Sequence, residues 1–159
     1  MMVPGATFNF SSIVRHHAVR QGDREVLVDQ GGARRITWLT LDKRVDACAV
    51  VLRDAGIGPG NAVGLLLYNY AEFVEVIFAT NRVGAVFLPL NWRLAAEEVR
   101  YILDHAQARA LVSEAAFYGV LDPVLPTLGG IRLRLSLDPA PPAGWRRLHA
   151  CGRGAVEAR

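Results

Sequence analysis

Asn81-Arg-Val-Gly-Ala-Val-Phe-Leu-Pro-Leu-Asn-Trp-Arg-Leu94 compresses a helix end, a strand and a loop into one short stretch. Arg82 closes a helical pattern and Gly84 stops it. Ala85-Val-Phe-Leu88 then has the length and apolarity of a buried strand, and Pro89 ends it by withholding a ladder donor. The polar Asn91-Trp92-Arg93 loop follows. Immediately upstream, Asn69 and Glu72 have capping-box spacing, and the helix they open presents Phe73, Val74, Ile77, Phe78 and Ala79. Before that helix lies Ala62-Val-Gly-Leu-Leu-Leu67, apolar on both faces, the pattern of a parallel strand covered on two sides.

The same alternation extends in both directions. Towards the N-terminus, Leu41, Val45, Cys48, Ala49 and Leu52 recur at helical spacing and Gly56 closes that helix. Further back, Glu25–Val28 and Arg34–Thr37 read as a hairpin around Gly31-Gly32, and Ser11 or Ser12 caps a first helix through Ile13, Val14, Ala18 and Val19. Towards the C-terminus come a helix marked by Val99, Ile102 and Leu103, the strand Ala110-Leu-Val112, a weaker helix from Ala115 to Leu128 broken at Pro123 and Pro126, and a last strand from Ile131 to Leu137. Strands alternating with helices imply right-handed βαβ units, so the expected class is α/β, a mostly parallel sheet with helices on both faces. The expected organisation is one α/β unit over 1–137 and, over 138–159, a proline-rich extension with a disordered tail.

Composition narrows the function classes. A 52% hydrophobic content with only 21% charged residues suits a buried sheet, or a portion of a larger protein whose remainder covers apolar surface. The net charge of +3 comes from scattered arginines, Lys43 being the only lysine, so a nucleic-acid partner is not expected. No apolar run reaches the roughly 18 to 20 residues of a membrane span, and Met1–Phe10 lacks the form of a secretory leader. A cytoplasmic location is the expectation. Cys48 reads as a small buried thiol, and Cys48 and Cys151 have no metal spacing.

Several local patterns suggest chemistry and are better explained structurally. Gly56-Ile-Gly58-Pro-Gly60 closes a helix and leads into a strand, the reverse of a phosphate-cradling loop, which follows a strand and opens a helix. His16 and His17 point about 100° apart on a helix, and no ligand stands at the next turn to complete a metal set. Glu97 and Glu98 fall in the first turn of a helix, where carboxylates meet its positive end. No Gly-x-Ser-x-Gly elbow occurs, and no catalytic or metal-binding residue is assigned. Trp92 and Arg93 are the substrate-binding candidates, because they follow the C-terminal end of a strand, the edge at which open α/β sheets bind ligands. The competing reading has Asn91 capping, Trp92 packing over the sheet edge and Arg93 pairing with an acid such as Glu97.

Taken in order, these elements resemble the opening third of the AMP-forming acyl-CoA synthetases. The resemblance covers roughly Phe8 to Leu148. It rests on Arg15-His-His-Ala18 before Gly22-Asp23, Thr37-Trp38, Gly56 to Asn61, Asn69-x-x-Glu72, Gly84 to Leu94, and Glu98 with Tyr101-Ile-Leu103. Thr40 stands where that family often has Glu, and Asn61 where Asp is usual; Ala143-Gly-Trp145 is similar to the family's path towards its nucleotide site. The resemblance implies a carboxylic acid substrate, most commonly a fatty acid, with ATP, Mg²⁺ and CoA as co-reactants of the full-length enzyme. It also implies that the glycine- and hydroxyl-rich phosphate loop and the catalytic lysine lie downstream of the matched region. None of those motifs occurs in this sequence, so none of these cofactors is expected for the chain alone. Two readings follow: a truncated N-terminal portion of such a ligase, inactive alone, or a non-catalytic interaction module that self-associates through exposed apolar surface. A free-standing small nucleotide binder is a third.

Overall fold

The computed structural model describes residues 9–28 and 34–148. A small antiparallel ribbon of β1 (Glu25–Val28) and β2 (Arg35–Thr37) precedes the main sheet, and its turn lies outside the described residues. The main sheet consists of β3 (Ala62–Leu66), β4 (Val86–Pro89), β5 (Ala108–Ser113), β6 (Leu133–Ser136) and β7 (Arg146–Arg147), ordered β4-β3-β5-β6-β7 with each neighbouring pair parallel. The helices are α1 (Ser12–Gln21), α2 (Trp38–Asp54), α3 (Ala71–Arg82), α4 (Ala96–His105) and the single turn α5 (Tyr118–Leu121), with 3-10 turns at Ala115–Phe117 and Leu125–Thr127.

The period-two alternation of β3 divides the interior. Val63 and Leu65 face a core shared with α1, α2 and α3, through Val14, Val45, Leu52 and Val76. Ala62 and Leu66 face a second core with α4, α5 and the 3-10 turn before α5, through Val99, Leu103, Leu121 and Phe117. Helices therefore cover both faces, as expected. Gly64 lets the second layer approach closely: a Cβ there would lie 2.5 Å from Leu103 Cδ2 and 3.2 Å from Leu111 Cδ1.

Several local expectations are corrected. The strand Ala85–Leu88 is not buried: β4 is an edge strand, with Val86 60% and Phe87 38% exposed, because among the described residues nothing pairs beyond it. The capping box at Asn69 does not form. Tyr70 is the N-cap of α3, and Glu72 instead accepts from the two terminal nitrogens of the Arg34 guanidinium, at 2.6 and 2.8 Å. The inward face of α3 accordingly carries Glu72, Glu75, Val76, Ala79 and Thr80, while Phe73, Val74, Ile77 and Phe78 are half-buried. Arg44 meets Glu75 at 3.0 Å, so arginines from outside the helix satisfy two carboxylates on its most buried side, while Phe73, Ile77 and Phe78 pack against the same core and Ala79 lies within it. Neither Ser11 nor Ser12 caps α1 through its side chain; Asn9 Oδ1 accepts the Ser11 N–H at 2.8 Å. Past residue 137, where the sequence gives no further strand, Arg146–Arg147 pairs with Leu135–Ser136 and buries Trp145 and Leu148.

The other marked signals behave as their chemistry requires. Thr37 Oγ1 accepts the Thr40 N–H at 3.2 Å and caps α2, a contribution of about 1 kcal/mol. Gly56 and Gly60 take positive φ of 72° and 80° in the turn into β3, and Asn61 Oδ1 holds the Gly58 N–H at 3.1 Å. Glu97 and Glu98 occupy the first turn of α4, where Glu98 accepts the Ala95 N–H at 2.8 Å. Cys48 is buried.

One guanidinium joins the first helical layer. Arg82, at the end of α3, donates to Asp42 Oδ1 at 2.8 Å and Asp46 Oδ1 at 2.7 Å on α2, and to the Ser11 carbonyl at 3.3 Å at the start of α1. Arg15 on α1 pairs with the same two aspartates. Arg82 and Asp42 are 15% and 14% exposed at their side chains, so removing the cation leaves a carboxylate short of charge in a nearly dry place. Arg82→Ala is expected to lower unfolding stability by about 3 kcal/mol in urea titrations, with Arg82→Lys recovering only part, since an ammonium cannot span two carboxylates as the planar fork does.

Candidate functional site

Right-handed crossovers explain why a crevice forms where it does. The β3–α3–β4 connection runs to one side of β3 over the first face, whereas β4–α4–β5 returns past β3 over the opposite face. Chain leaving β3 and chain leaving β5 therefore separate at their C-terminal ends, and β3/β5 is the switch point at which open α/β sheets receive ligands.

The residues there form a row in strand order. Trp92 follows β4, Tyr68 follows β3 and Phe117 follows β5; the Tyr68 ring centroid is 5.6 Å from Trp92 and 4.9 Å from Phe117. Tyr70 stands edge-on to Tyr68 at 6.4 Å. Phe117 is buried, whereas Tyr68, Tyr70 and Trp92 are 38%, 43% and 46% exposed, so the row has an anchored end and an open end. Arg93 lies over Trp92 with its guanidinium carbon 4.6 Å from the ring centroid, a cation–π contact. The alternative pairing of Arg93 with Glu97 is not made: Glu97 binds Arg100 at 2.7 Å, one turn along α4. Asn91 does act locally, accepting the Arg93 N–H at 3.0 Å.

Polar groups bind the two sides of the switch point together. Ser113 Oγ, fully buried, donates to the Leu66 carbonyl at 2.9 Å, and Glu114 Oε1 accepts the Tyr68 N–H at 2.8 Å. Burial raises the pKa of Glu114, the Tyr68 hydrogen bond opposes that rise, and the charges of Asp138 and Glu72 add to it. Beside it, Tyr118 donates to Asp138 Oδ2 at 2.7 Å, and the Ser136 hydroxyl lies 2.6 Å from the phenol and 2.9 Å from the same carboxylate oxygen. Burial pushes Tyr118 up to about 12; the Ser136 hydrogen bond opposes this and Asp138 reinforces it. The phenol is a neutral donor at physiological pH and not a nucleophile.

This arrangement suits binding and orientation rather than bond making. Ser136 bonds an aspartate with no histidine between them, and His17 lies elsewhere, its ring tilted 30° against Trp38 at 4.5 Å with Gln21 2.8 Å from its Nδ1. Among the described residues no group of three or more His, Cys, Asp or Glu could hold a metal ion. Of the sequence candidates, Trp92 and Arg93 are brought to the crevice. Sequence reasoning missed Tyr68, Tyr70, Glu114, Phe117 and Tyr118; the signal available was their position just after apolar strands.

The family model described as AMP-binding enzyme matches residues 14–156. The chain belongs to that family. Among curated relatives, the indoleacetate–CoA ligase of Aromatoleum aromaticum is 32% identical over 133 residues, 84% of this chain and 25% of that protein. The 3-oxocholest-4-en-26-oate–CoA ligase of Rhodococcus rhodochrous is 30% identical over 75% of this chain and 21% of its own length. A solved structure from Rhodopseudomonas palustris, provisionally named a long-chain-fatty-acid CoA ligase, superposes with a TM-score of 0.83 at 26% identity, covering 93% of this chain and 37% of that one. The chain thus spans about a quarter of the length of the curated relatives it matches.

AMP-binding family enzymes use ATP, Mg²⁺ and CoA on carboxylic acids, and the crevice described above does not fit a triphosphate. Its charges without an ion pair among the described residues are the carboxylates Glu114 and Asp138 and one cation, Arg93, which rests on Trp92; Lys43 is exposed on α2, in the layer covering one face. Among the described residues no helix is long and apolar enough to cross a membrane.

Glu114 gives a prediction with a definite sign. Its carboxyl binds a proton more readily folded than unfolded, so its charge opposes folding above the raised pKa and has no effect below the usual value near 4.5. Glu114→Gln, which keeps an oxygen for the Tyr68 N–H, should melt at a higher temperature than the parent at pH 7, with the difference closing as the pH falls towards 4; thermal melts across that range check it.

Proposed function

We propose that this chain is the N-terminal α/β portion of an ATP-dependent, AMP-forming acyl-CoA ligase of fatty-acid or related carboxylic-acid metabolism, that it acts in the cytoplasm, and that by itself it provides scaffold and no adenylation. The parent reaction joins a carboxylate to the α-phosphate of ATP, releasing pyrophosphate, and then passes the acyl group to the CoA thiol with loss of AMP. Charge developing on phosphoryl oxygens must be met by positioned donors and cations. The observation that carries the reading is the pairing of a family match over 14–156 with a sequence holding one lysine and no glycine- and hydroxyl-rich phosphate loop. The two relatives named above act on an aryl-acetate and a sterol acid, so the acyl group stays open within the carboxylic acids. The purified chain should give no acid-dependent exchange of labelled pyrophosphate into ATP with indoleacetate, benzoate or a fatty acid. Robust exchange with any of them would overturn the scaffold reading.

A second reading, a non-catalytic interaction module, is favoured by exposed Val86 and Phe87 on β4. The backbone limits how such an edge associates. Val86 and Leu90 donate to Asn61 and Leu65 at 2.9 Å, so by alternation Phe87 and Pro89 turn their backbone groups outward, and Pro89 has no N–H to offer. Self-association therefore uses side chains rather than a continued ladder. Sedimentation velocity should show concentration-dependent self-association that Phe87→Glu suppresses; a parent that stays monomeric at all concentrations counts against this module.

A further inference from the structure

We propose that a cleft at the N-terminal edge of the sheet, between the start of α1, the end of α2 and the turn into β3, binds an amphipathic organic anion: one oxyanion head on an apolar body. The cleft shares no residue with the switch-point crevice and lies at the opposite end of β3, so its ligand is independent of the ligase reading.

The cleft holds about 940 Å³, at the upper end of the roughly 300–1,000 Å³ of small-molecule sites and far more than a lone inorganic anion fills. Its walls are fixed by the fold. On one side the turn seats on the end of α3: a Cβ at Gly84 would lie 3.2 Å from Pro59 Cγ, and one at Gly58 3.7 Å from the Val83 carbonyl oxygen. On the other, the start of α1 is tied to α3 by Arg82 donating to the Ser11 carbonyl and Asn9 donating to the Asn81 carbonyl. From α2 come Asp46, Ala49 and Arg53, whose spacing of three and four places them on one helix face.

The lining divides by chemistry. Ala49, Ile57, Pro59 and Val83 supply apolar surface to cover the body of a ligand. Arg15, Arg53 and Arg82 supply charge. Arg15 and Arg82 are matched by Asp42 and Asp46, so the excess positive charge falls on Arg53. Arg53 is exposed on the last turn of α2 and has no ion pair among the described residues. A guanidinium presents paired N–H groups that an oxyanion head accepts in parallel. A neutral ligand would use the apolar wall and leave Arg53 unmatched. A cation would meet three guanidinium groups. A compact polyanion would leave the apolar wall wet, whereas one oxyanion on an apolar body uses both surfaces.

The test titrates naphthalene-2-sulfonate and its uncharged amide, naphthalene-2-sulfonamide, into the full chain at matched ionic strength. The Ser12 and Gly58 amides and the Arg53 Nε–H report the cleft in proton–nitrogen spectra, and the Trp92 indole reports the crevice. The sulfonate should give saturable shifts at the three cleft signals and none at Trp92, and the amide should bind at least threefold more weakly. Arg53→Gln, which removes an exposed cation, should keep the parent's cooperative melt and bind the sulfonate at least threefold more weakly. Ser12→Phe, a ring added at an exposed position lining the cleft, should abolish saturation. Equal affinity for the amide, undiminished binding in either folded variant, shifts confined to Trp92 or no saturation would each overturn the proposal. None of these readouts depends on adenylation, so their failure leaves the ligase reading standing.

Discussion

The Arg82 guanidinium is the contact on which the first helical layer depends. Apolar side chains of α1, α2 and α3 would cover the sheet in many relative positions, since hydrophobic attraction has little direction. A planar fork donating to Asp42, Asp46 and the Ser11 carbonyl at once is satisfied in few of them. Its net stabilisation is modest, because both partners lose water to meet. Its role is geometric, setting where three helix segments stand relative to one another and so where β3 and β4 are delivered.

The second constraint is handedness. With β4 on one side of β3 and β5 on the other, right-handed crossovers place α3 and α4 on opposite faces, and the C-terminal ends of β3 and β5 diverge. Ser113 and Glu114 close the base of that gap by bonding Leu66 and Tyr68 across it. The aromatic row above it orders Trp92, Tyr68 and Phe117 as the sheet orders β4, β3 and β5. What lies sequentially far apart becomes one surface through strand order alone.

Most of the architecture was legible beforehand. β3, apolar on both faces, implied a two-sided sheet, and helical spacing in α2 and α4 marked which residues face inwards. The readings that failed share a cause. On α3 the apolar residues do pack on the core, but the capping role read for Glu72 and the burial of Glu75 depend on Arg34 and Arg44, which pair with those carboxylates. β4 was taken as buried because it is apolar, while its exposure depends on whether another strand lies beyond it. β7 was missed because two arginines carry no strand signal; the pairing edge of β6 and the burial of Trp145 place them. Of the crevice, Trp92 and Arg93 could be selected from their position after a strand. Glu114, Tyr68 and Tyr118 also follow apolar strands, but that position alone does not single out an ordinary acid and two tyrosines, whose significance comes from what they meet.

By itself, then, the sequence determined the class of fold, the positions of its turns and the family, because these rest on local periodicity, glycine and proline stereochemistry, and the order of short motifs along one chain. Tertiary structure decided which strand is the edge, which carboxylates of α3 lie buried, and which side chains share the switch point. Those outcomes depend on pairings between residues tens of positions apart, whose energies come from geometry, burial and charge in three dimensions and leave no periodic trace in the chain.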